Sequence, residues 1–455
     1  MQSDAQYIDG EATYAMGPVR RVGAIFAAIC LVVVGAIVFG AATMAHNAVL
    51  PTTNAGPSDF TKYGMNDSNN AVFGSPVLSG WAVHWTYKAP VPLQQASVSD
   101  GVVYASGDGG NLSGQGIGYV YALGAKTGRL LWRQSLNNMS MTTPVVAEGL
   151  VFVGTGTPGF AGSNLSRVDN LNARHIIRGT SLSAIYALNA ATGQIVWEYL
   201  TRGEDMPTFV FHSGTLYVAN GNGLVYAFNA KTGQKEWTVP IGSYVSMSSP
   251  TWAHGVLYVS GAHPYDLYAI NAAKHALLWK VAIPDVFAGT DDSSLAYSHH
   301  RIYVLGTTGG WTDASSVVFA YTTAGQLAWQ SNLGSGTLPA YIEAAAPVAV
   351  GNTLYVGSPI TNAEYALNMA TGKRIWAFRA AGPISESPAV LDNRLYFGDS
   401  TGMFYVLNAS TGRAVATKAF RGSSFAADYP VIVGHTLYQP DDNGEMLARP
   451  LTALG

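Results

Sequence analysis

The sequence predicts an all-β fold: an eight-bladed β-propeller with four-stranded blades, closed by N- and C-terminal strands sharing one blade and preceded by an N-terminal hydrophobic helix. Three observations predict it. A strand–turn–strand unit built on Asn-Ala-x-Thr-Gly and ending in tryptophan recurs along the chain. A second strand, with an aromatic residue near its centre, recurs equally often. The period lies in the forties, the length of four short strands and their turns.

The first element is a short tail, residues 1–21, followed by Val22 to Ala45, 24 residues without a charge. Such a run is long enough to span a bilayer. Arg20 and Arg21 precede it, which predicts a cytoplasmic N-terminus and a body outside. A cleaved signal peptide is the competing reading, since Gly40-Ala41-Ala42 and Thr43-Met44-Ala45 offer small residues before a cut. Both readings export the body to the periplasm or beyond, tethered to the inner membrane if the segment is kept. Cys30, the single cysteine, lies inside this segment, and Ile29 stands where a lipid-attachment site wants a small residue. The folded body therefore has no disulfide, no thiolate nucleophile and no cysteine metal site. Residues 46–75, rich in Asn, Ser, Gly and Pro, read as a linker.

The repeats begin near residue 76 and run to 455. Val120-Tyr121-Ala122-Leu123-Gly124-Ala125-Lys126-Thr127-Gly128 leads to Trp132, and Ile185-Tyr186-Ala187-Leu188-Asn189-Ala190-Ala191-Thr192-Gly193 leads to Trp197. Further copies end at Trp237, Trp279, Trp329 and Trp376; the last has Thr417 in that place, and Trp85 opens the column. Successive spacings are 47, 65, 40, 42, 50, 47 and 41 residues. The aromatic column is Tyr104, Phe152, Tyr217, Tyr258, Tyr303, Tyr355, Tyr396 and Tyr438. Alternating apolar residues give each small sheet two faces to bury, and neighbouring blades bury them. The tryptophan is expected to pack between blades. Trp85 has no inner strands before it, and after Tyr438 the chain supplies one more strand, Leu447 to Leu454, so the two ends should complete one blade.

The Tyr-Ala-Leu-Asn-Ala-x-Thr-Gly-x-x-x-Trp unit resembles the pyrroloquinoline-quinone-like repeat family over residues 76–455. That family includes quinoprotein alcohol dehydrogenases, an outer-membrane assembly lipoprotein, and tetrathionate hydrolases of acidophilic sulfur oxidisers. Fold alone does not choose among them. The body lacks the adjacent cysteines that many of the dehydrogenases place over their cofactor, and it has no haem-attaching Cys-x-x-Cys-His. No cofactor and no metal are expected.

Charge narrows the partners. Lysine plus arginine is 24 and aspartate plus glutamate 27, and charged residues make up 11% of the chain, against roughly 25% in soluble proteins. Such sparse, balanced charge excludes a nucleic-acid partner. It also suits an acidic medium, where carboxylates protonate and unopposed bases repel. A β-rich fold with a Ser/Thr/Asn surface accounts for it equally. A homo-oligomer stays open.

One mouth of the central channel collects the candidate site. Innermost strands precede the aromatic strands, and proline stands eight residues before the aromatic at Pro144, Pro250, Pro347 and Pro388. Just ahead of that position lie Asp205, Asp291, Asp292, Glu343, Glu386 and Asp428, six of the 27 acids. Any one of them could simply accept hydrogen bonds from backbone N–H groups. Adjacent Asp291 and Asp292 should point to opposite faces, so one is expected to meet the channel. The 65-residue spacing comes from an insertion at about 157–183 that should overhang the same mouth. It carries Arg167, Arg174, His175 and Arg178, and arginine suits sulfonate or phosphate oxygens through paired N–H donors. The loop with Trp311 and Asp313 lies on that face too.

The resemblance to tetrathionate hydrolases implies an exported hydrolase acting on a small anionic sulfur compound. Arg167, Arg174, His175 and Arg178 would hold sulfonate groups, with Glu343, Glu386 and Trp311 lining the pocket. Asp292, with Asp291 next, would activate water, which in acid requires a raised pKa. The alternative is a non-enzymatic scaffold in envelope protein assembly, for which the missing lipid-attachment cysteine is a difficulty. A sugar binder using Trp311 ranks below both.

Overall fold

The structure is a computed structural model describing residues 72–73, 82–110, 116–160, 176–339, 345–425 and 429–454. The tail and the hydrophobic segment lie outside the described residues. The rest is a ring of eight antiparallel sheets. Blade 1 shows the pattern: Leu93–Ser99 is innermost, then Val102–Gly110, Gly116–Gly124 and, outermost, Leu130–Ser135. Blades 2 to 7 follow over residues 145–202, 210–240, 251–282, 286–336, 348–379 and 389–419. Blade 8 comprises Val431–Val433, Thr436–Pro440 and Glu445–Pro450, with Trp85–Lys88 antiparallel to the last of these. The ring is closed by the chain ends, as expected. The final strand stops at Pro450, and Leu451–Ala453 is a 3₁₀ turn rather than more strand.

The two middle strands of a blade are apolar on both faces because blades cover them on both sides. Tyr217 to Ala219 and Val225 to Phe228 of blade 3 are all buried. The outermost strand is an edge, and Leu130–Ser135 alternates between exposed and half-buried positions.

The tryptophans join consecutive blades. The Trp132 indole N–H donates to the Ala190 carbonyl of the next blade (2.9 Å), and Trp85, Trp197, Trp279, Trp329 and Trp376 repeat this contact at 2.8–3.0 Å. Each ring lies against the turn glycine of its neighbour. Gly193 has φ +73°, and a Cβ there would sit 2.5 Å from the Trp132 ring. The turn thus needs glycine both for its backbone conformation and for the approach of the ring. In seven blades the aromatic column meets the tryptophan, as Tyr104 meets Trp132 with ring centroids 5.9 Å apart. Thr417 fits this logic. Its neighbour is blade 8, whose two outer strands come from opposite chain ends, so no Thr-Gly turn exists there for a tryptophan to cover.

A second girdle closes the inside of the ring. Nine residues before each aromatic stands a buried polar side chain in seven of eight blades: Gln95, Thr143, Thr208, Ser249, Ser294, Ser387 and Tyr429, with Ala346 the exception. The Thr143 N–H donates to the Thr208 hydroxyl (3.3 Å), Thr208 N–H to Ser249 (2.9 Å), Ser249 N–H to Ser294 (3.0 Å) and Ala346 N–H to Ser387 (2.8 Å). The Thr143 hydroxyl donates to Gln95 Oε1 and shares a 2.5 Å hydrogen bond with Tyr429. Innermost strands have backbone groups with no further strand to pair, and the next blade's hydroxyl supplies the partner. At blade 7 a strand does so: Val72–Phe73 runs parallel to the innermost strand at Val390 and Leu391.

Candidate functional site

Innermost strands start at one face of the ring, and the loops between second and third strands open on it too. Blades 2 to 5 bring six such segments together there. Arg178 ends the blade-2 insertion. Its N–H donates to the Gly221 carbonyl (2.8 Å), and its own carbonyl accepts from Glu204 N–H (2.9 Å). Gly221 permits this approach, since a Cβ there would lie 2.3 Å from the Arg178 carbonyl oxygen. With its backbone pinned, Arg178 turns Nε to Glu204 Oε1 at 3.1 Å and lays its guanidinium 5.1 Å from the Phe160 ring centre. Its side chain remains 26% exposed while that of Glu204 is wholly buried.

An aromatic wall continues from there. Phe160 meets Tyr244 edge-on (5.3 Å), Tyr244 stacks on His263 (5.8 Å), and His263 packs against Tyr265 (5.1 Å). The Tyr265 hydroxyl donates to the Phe287 carbonyl, and Trp311 stands edge-on to Phe287 at 5.5 Å, 70% exposed at the rim.

Asp291 and Asp292 occupy a turn, with Ser293 N–H bonded to the Gly289 carbonyl at 2.8 Å. Strand alternation, on which the expectation of opposite faces rested, therefore does not apply to them. Both act on Arg178, Tyr244 and Tyr265. The Asp291 carbonyl accepts from Met247 N–H (2.8 Å) and Ser248 N–H (2.7 Å), tying this turn to blade 4. Ser246 lies near both carboxyls, those of Glu204 and Asp292, and favours their ionised forms, while Glu204 Oε2 is buried without a hydrogen-bond partner.

Burial dominates the electrostatics. It pushes Glu204 up to about 7, against the pull of Arg178 and Ser246. It raises Asp292, again against Arg178 and Ser246. Asp291 is raised well above the usual carboxylate range, by burial first and then by the charge of Asp292. The two carboxyls titrate as a pair, and burial with their mutual charge makes that pair retain a proton well above the usual carboxylate range. Burial disfavours the Arg178 cation, but Glu204, Asp292 and Asp291 more than offset it.

The other expected site residues fall elsewhere. Asp205 is structural: wholly buried, it accepts from the Thr201 hydroxyl and from Asn220 Nδ2 (2.6 Å). Glu386 lies with blades 7 and 8, where its carboxylate accepts from Gly398 N–H and from Gln439 Nε2 (2.7 Å), with Asp399 and Asp442 as charged neighbours. Among the described mouth acids, Asp291 and Asp292 lie beside Arg178 and Glu386 has other neighbours. Arg167, Arg174, His175, Glu343 and Asp428 lie outside the described residues. Glu204, Ser246, Tyr244 and His263 join the site without having been singled out in the sequence. The adjacent Glu204-Asp205 pair, aligned one residue ahead of Asp291-Asp292, is the signal that pointed to them. Among the described residues no group of three or more His, Cys, Asp or Glu is arranged to hold a metal ion.

An eight-bladed ring with this repeat defines a class, and comparison with known proteins agrees. Residues 79–177, 181–343 and 313–452 match the family described as outer membrane protein assembly factor BamB. The chain belongs to this pyrroloquinoline-quinone-like propeller repeat family. It is similar to the tetrathionate hydrolase of Acidithiobacillus ferrooxidans, 32% identical over 375 residues, covering 79% of this chain and 72% of that protein. It is also similar to the tetrathionate hydrolase of Acidianus ambivalens, 27% identical over 410 residues, 83% of this chain and 74% of that one. Among solved structures, BamB from Moraxella catarrhalis shares the fold with a TM-score of 0.58 at 13% identity, over 81% of this chain and 100% of that chain.

Proposed function

We propose that the protein is an exported hydrolase acting on a small anionic sulfur compound, tetrathionate by preference, in an acidic medium. One observation carries the reading: a partly exposed arginine beside three buried carboxyls whose pKa values burial raises. In acid, Glu204 takes up a proton and ceases to neutralise Arg178, leaving its charge for a sulfonate group. The protonated carboxyls can then donate hydrogen bonds to the same oxygens. The attacking water forms an S–O bond as the S–S bond to the departing thiosulfate breaks; the acid pair delivers a proton to that thiosulfate and takes up the water's proton in its place, with Asp292 as the acceptor. The wall formed by Phe160, Tyr244 and His263 excludes bulk water along the sulfur chain. Identity with two tetrathionate hydrolases supports the substrate class. The uncharged run Val22 to Ala45 behind Arg20 and Arg21 supports export.

The test is thiosulfate release from tetrathionate at about pH 3 and about pH 7. Release in acid that disappears in Asp292→Asn is the expected outcome. No release at either pH from folded protein moves the reading to an envelope scaffold, which the family match and the fold shared with BamB support.

A further inference from the structure

The second acid group shows a chemistry that the proposed reaction does not use. Eight superimposed blades allow each position to be compared with its seven counterparts. The residue that pairs two places before the column alanine on the third strand is apolar and buried in seven blades, Val120, Ile185, Val225, Leu267 and Val318 among them. In blade 6 it is Glu364, wholly buried. The residue after the aromatic column is likewise apolar in seven blades, Val153, Val218, Val259, Val304 and Val356 among them. In blade 8 it is Gln439, also buried. Two polar intrusions into apolar columns thus fall on nearby blades, and Glu386 of blade 7 connects them. Gln439 Nε2 donates to Glu386 Oε1 at 2.7 Å, and Glu386 is close enough for its charge to act on Glu364.

The hydrogen-bond account of this group is incomplete on the acceptor side. Both carboxyl oxygens of Glu364 and the carboxamide oxygen of Gln439 are buried without a hydrogen-bond partner. The Gln439 amide nitrogen donates to Glu386 and to the Pro440 carbonyl (3.2 Å). A buried acceptor without a donor costs about 1–3 kcal/mol, and a second carboxylate beside it costs more. A single occupant with positive charge and no need for donors would satisfy all three oxygens.

We propose that Glu364, Glu386 and Gln439 form an internal site for a hard divalent cation of the calcium type, joining blades 6, 7 and 8 apart from the Arg178 group. All the available ligand atoms are oxygens, which excludes the softer metals. Two carboxylates match a double positive charge. An irregular set drawn from three blades suits calcium rather than the strict octahedron of magnesium. The role is structural: it ties the blades next to the closing one.

The test uses the full chain, freed of metal with a chelator and examined at neutral pH. Terbium luminescence sensitised by the protein's aromatic residues reports binding, calcium competes it away, and calcium raises Tm. In Glu364→Gln affinity falls about tenfold or more. Gln439→Val, which installs the residue of five other blades, weakens binding while keeping the fold, and it carries the test if the glutamate variant does not fold. Asp292→Asn binds as the parent does. Absence of terbium emission and of a calcium-induced Tm shift overturns the proposal. So does binding that survives Glu364→Gln and Gln439→Val but is lost in Asp292→Asn, because the ion then sits with the other acids.

Discussion

Acidification is expected to stabilise this fold, and Asp205 is the group on which that can be measured singly. It is wholly buried, takes no part in the proposed chemistry, and is held by Thr201 and Asn220. Burial pushes its carboxyl up to about 7, against those two hydrogen bonds. In the unfolded chain an aspartate ionises near 3.9. The folded state therefore binds the proton more tightly than the unfolded state. The associated stability is fully present below about pH 4, is lost as pH rises through about 7, and changes no further above that. Three units at 1.36 kcal/mol each make the loss about 4 kcal/mol as an upper value. Unfolding entropy for a chain of this size converts it to about 5 °C in Tm. Asp205→Asn removes the titration and keeps the shape: its amide oxygen accepts from Asn220 and its nitrogen donates to Thr201. Calorimetry between about pH 4 and about pH 8 should give a variant whose Tm falls less steeply than the parent's by about that amount, the variant being the more stable at the alkaline end. A variant with the parent's slope, or one destabilised equally at both ends, refutes the reasoning.

Other outcomes follow from the same contacts. Arg178→Gln should lower kcat/KM for tetrathionate by about 10- to 100-fold, the worth of a charge-assisted hydrogen bond, with little change in Tm at acid pH. Glu204→Gln frees Arg178 at every pH, so KM should stop rising between about pH 6 and about pH 8, where the parent glutamate ionises and takes the guanidinium back; a KM profile unchanged by the substitution contradicts the pairing. Gly193→Ala strains a φ of +73° and drives a methyl into Trp132, and urea unfolding should show a loss of about 2 kcal/mol or more. Thr417→Trp should bring no stabilisation in the same assay, since blade 8 presents no Thr-Gly turn beneath it.

Much of the fold is legible in the sequence because a propeller repeats one local problem. The tryptophan and aromatic columns number the blades, and their first and last members, Trp85 and Tyr438, reveal a blade made from both chain ends. The hydroxyl girdle stands in the same alignment, nine residues before each aromatic, but only the hydrogen bonds between blades give it meaning. The acids at the strand starts are equally visible, and the alignment places them at the correct mouth. It does not separate Asp205, which accepts hydrogen bonds from its own surroundings, from Glu204 beside it, which holds Arg178.

The sequence by itself determined the strand pattern, the blade count and the mode of closure. All of these depend on spacing along the chain, which local sterics and alternating burial translate directly into blades. Tertiary structure alone decided which acid meets which partner. Arg178, Glu204, Ser246, His263 and Asp292 are spread over more than a hundred residues and several blades, and Glu386, also just ahead of an innermost strand, belongs to another group. Their proximity is set by curvature and closure of the ring, and their proton affinities by the burial that closure imposes, neither of which any single repeat contains.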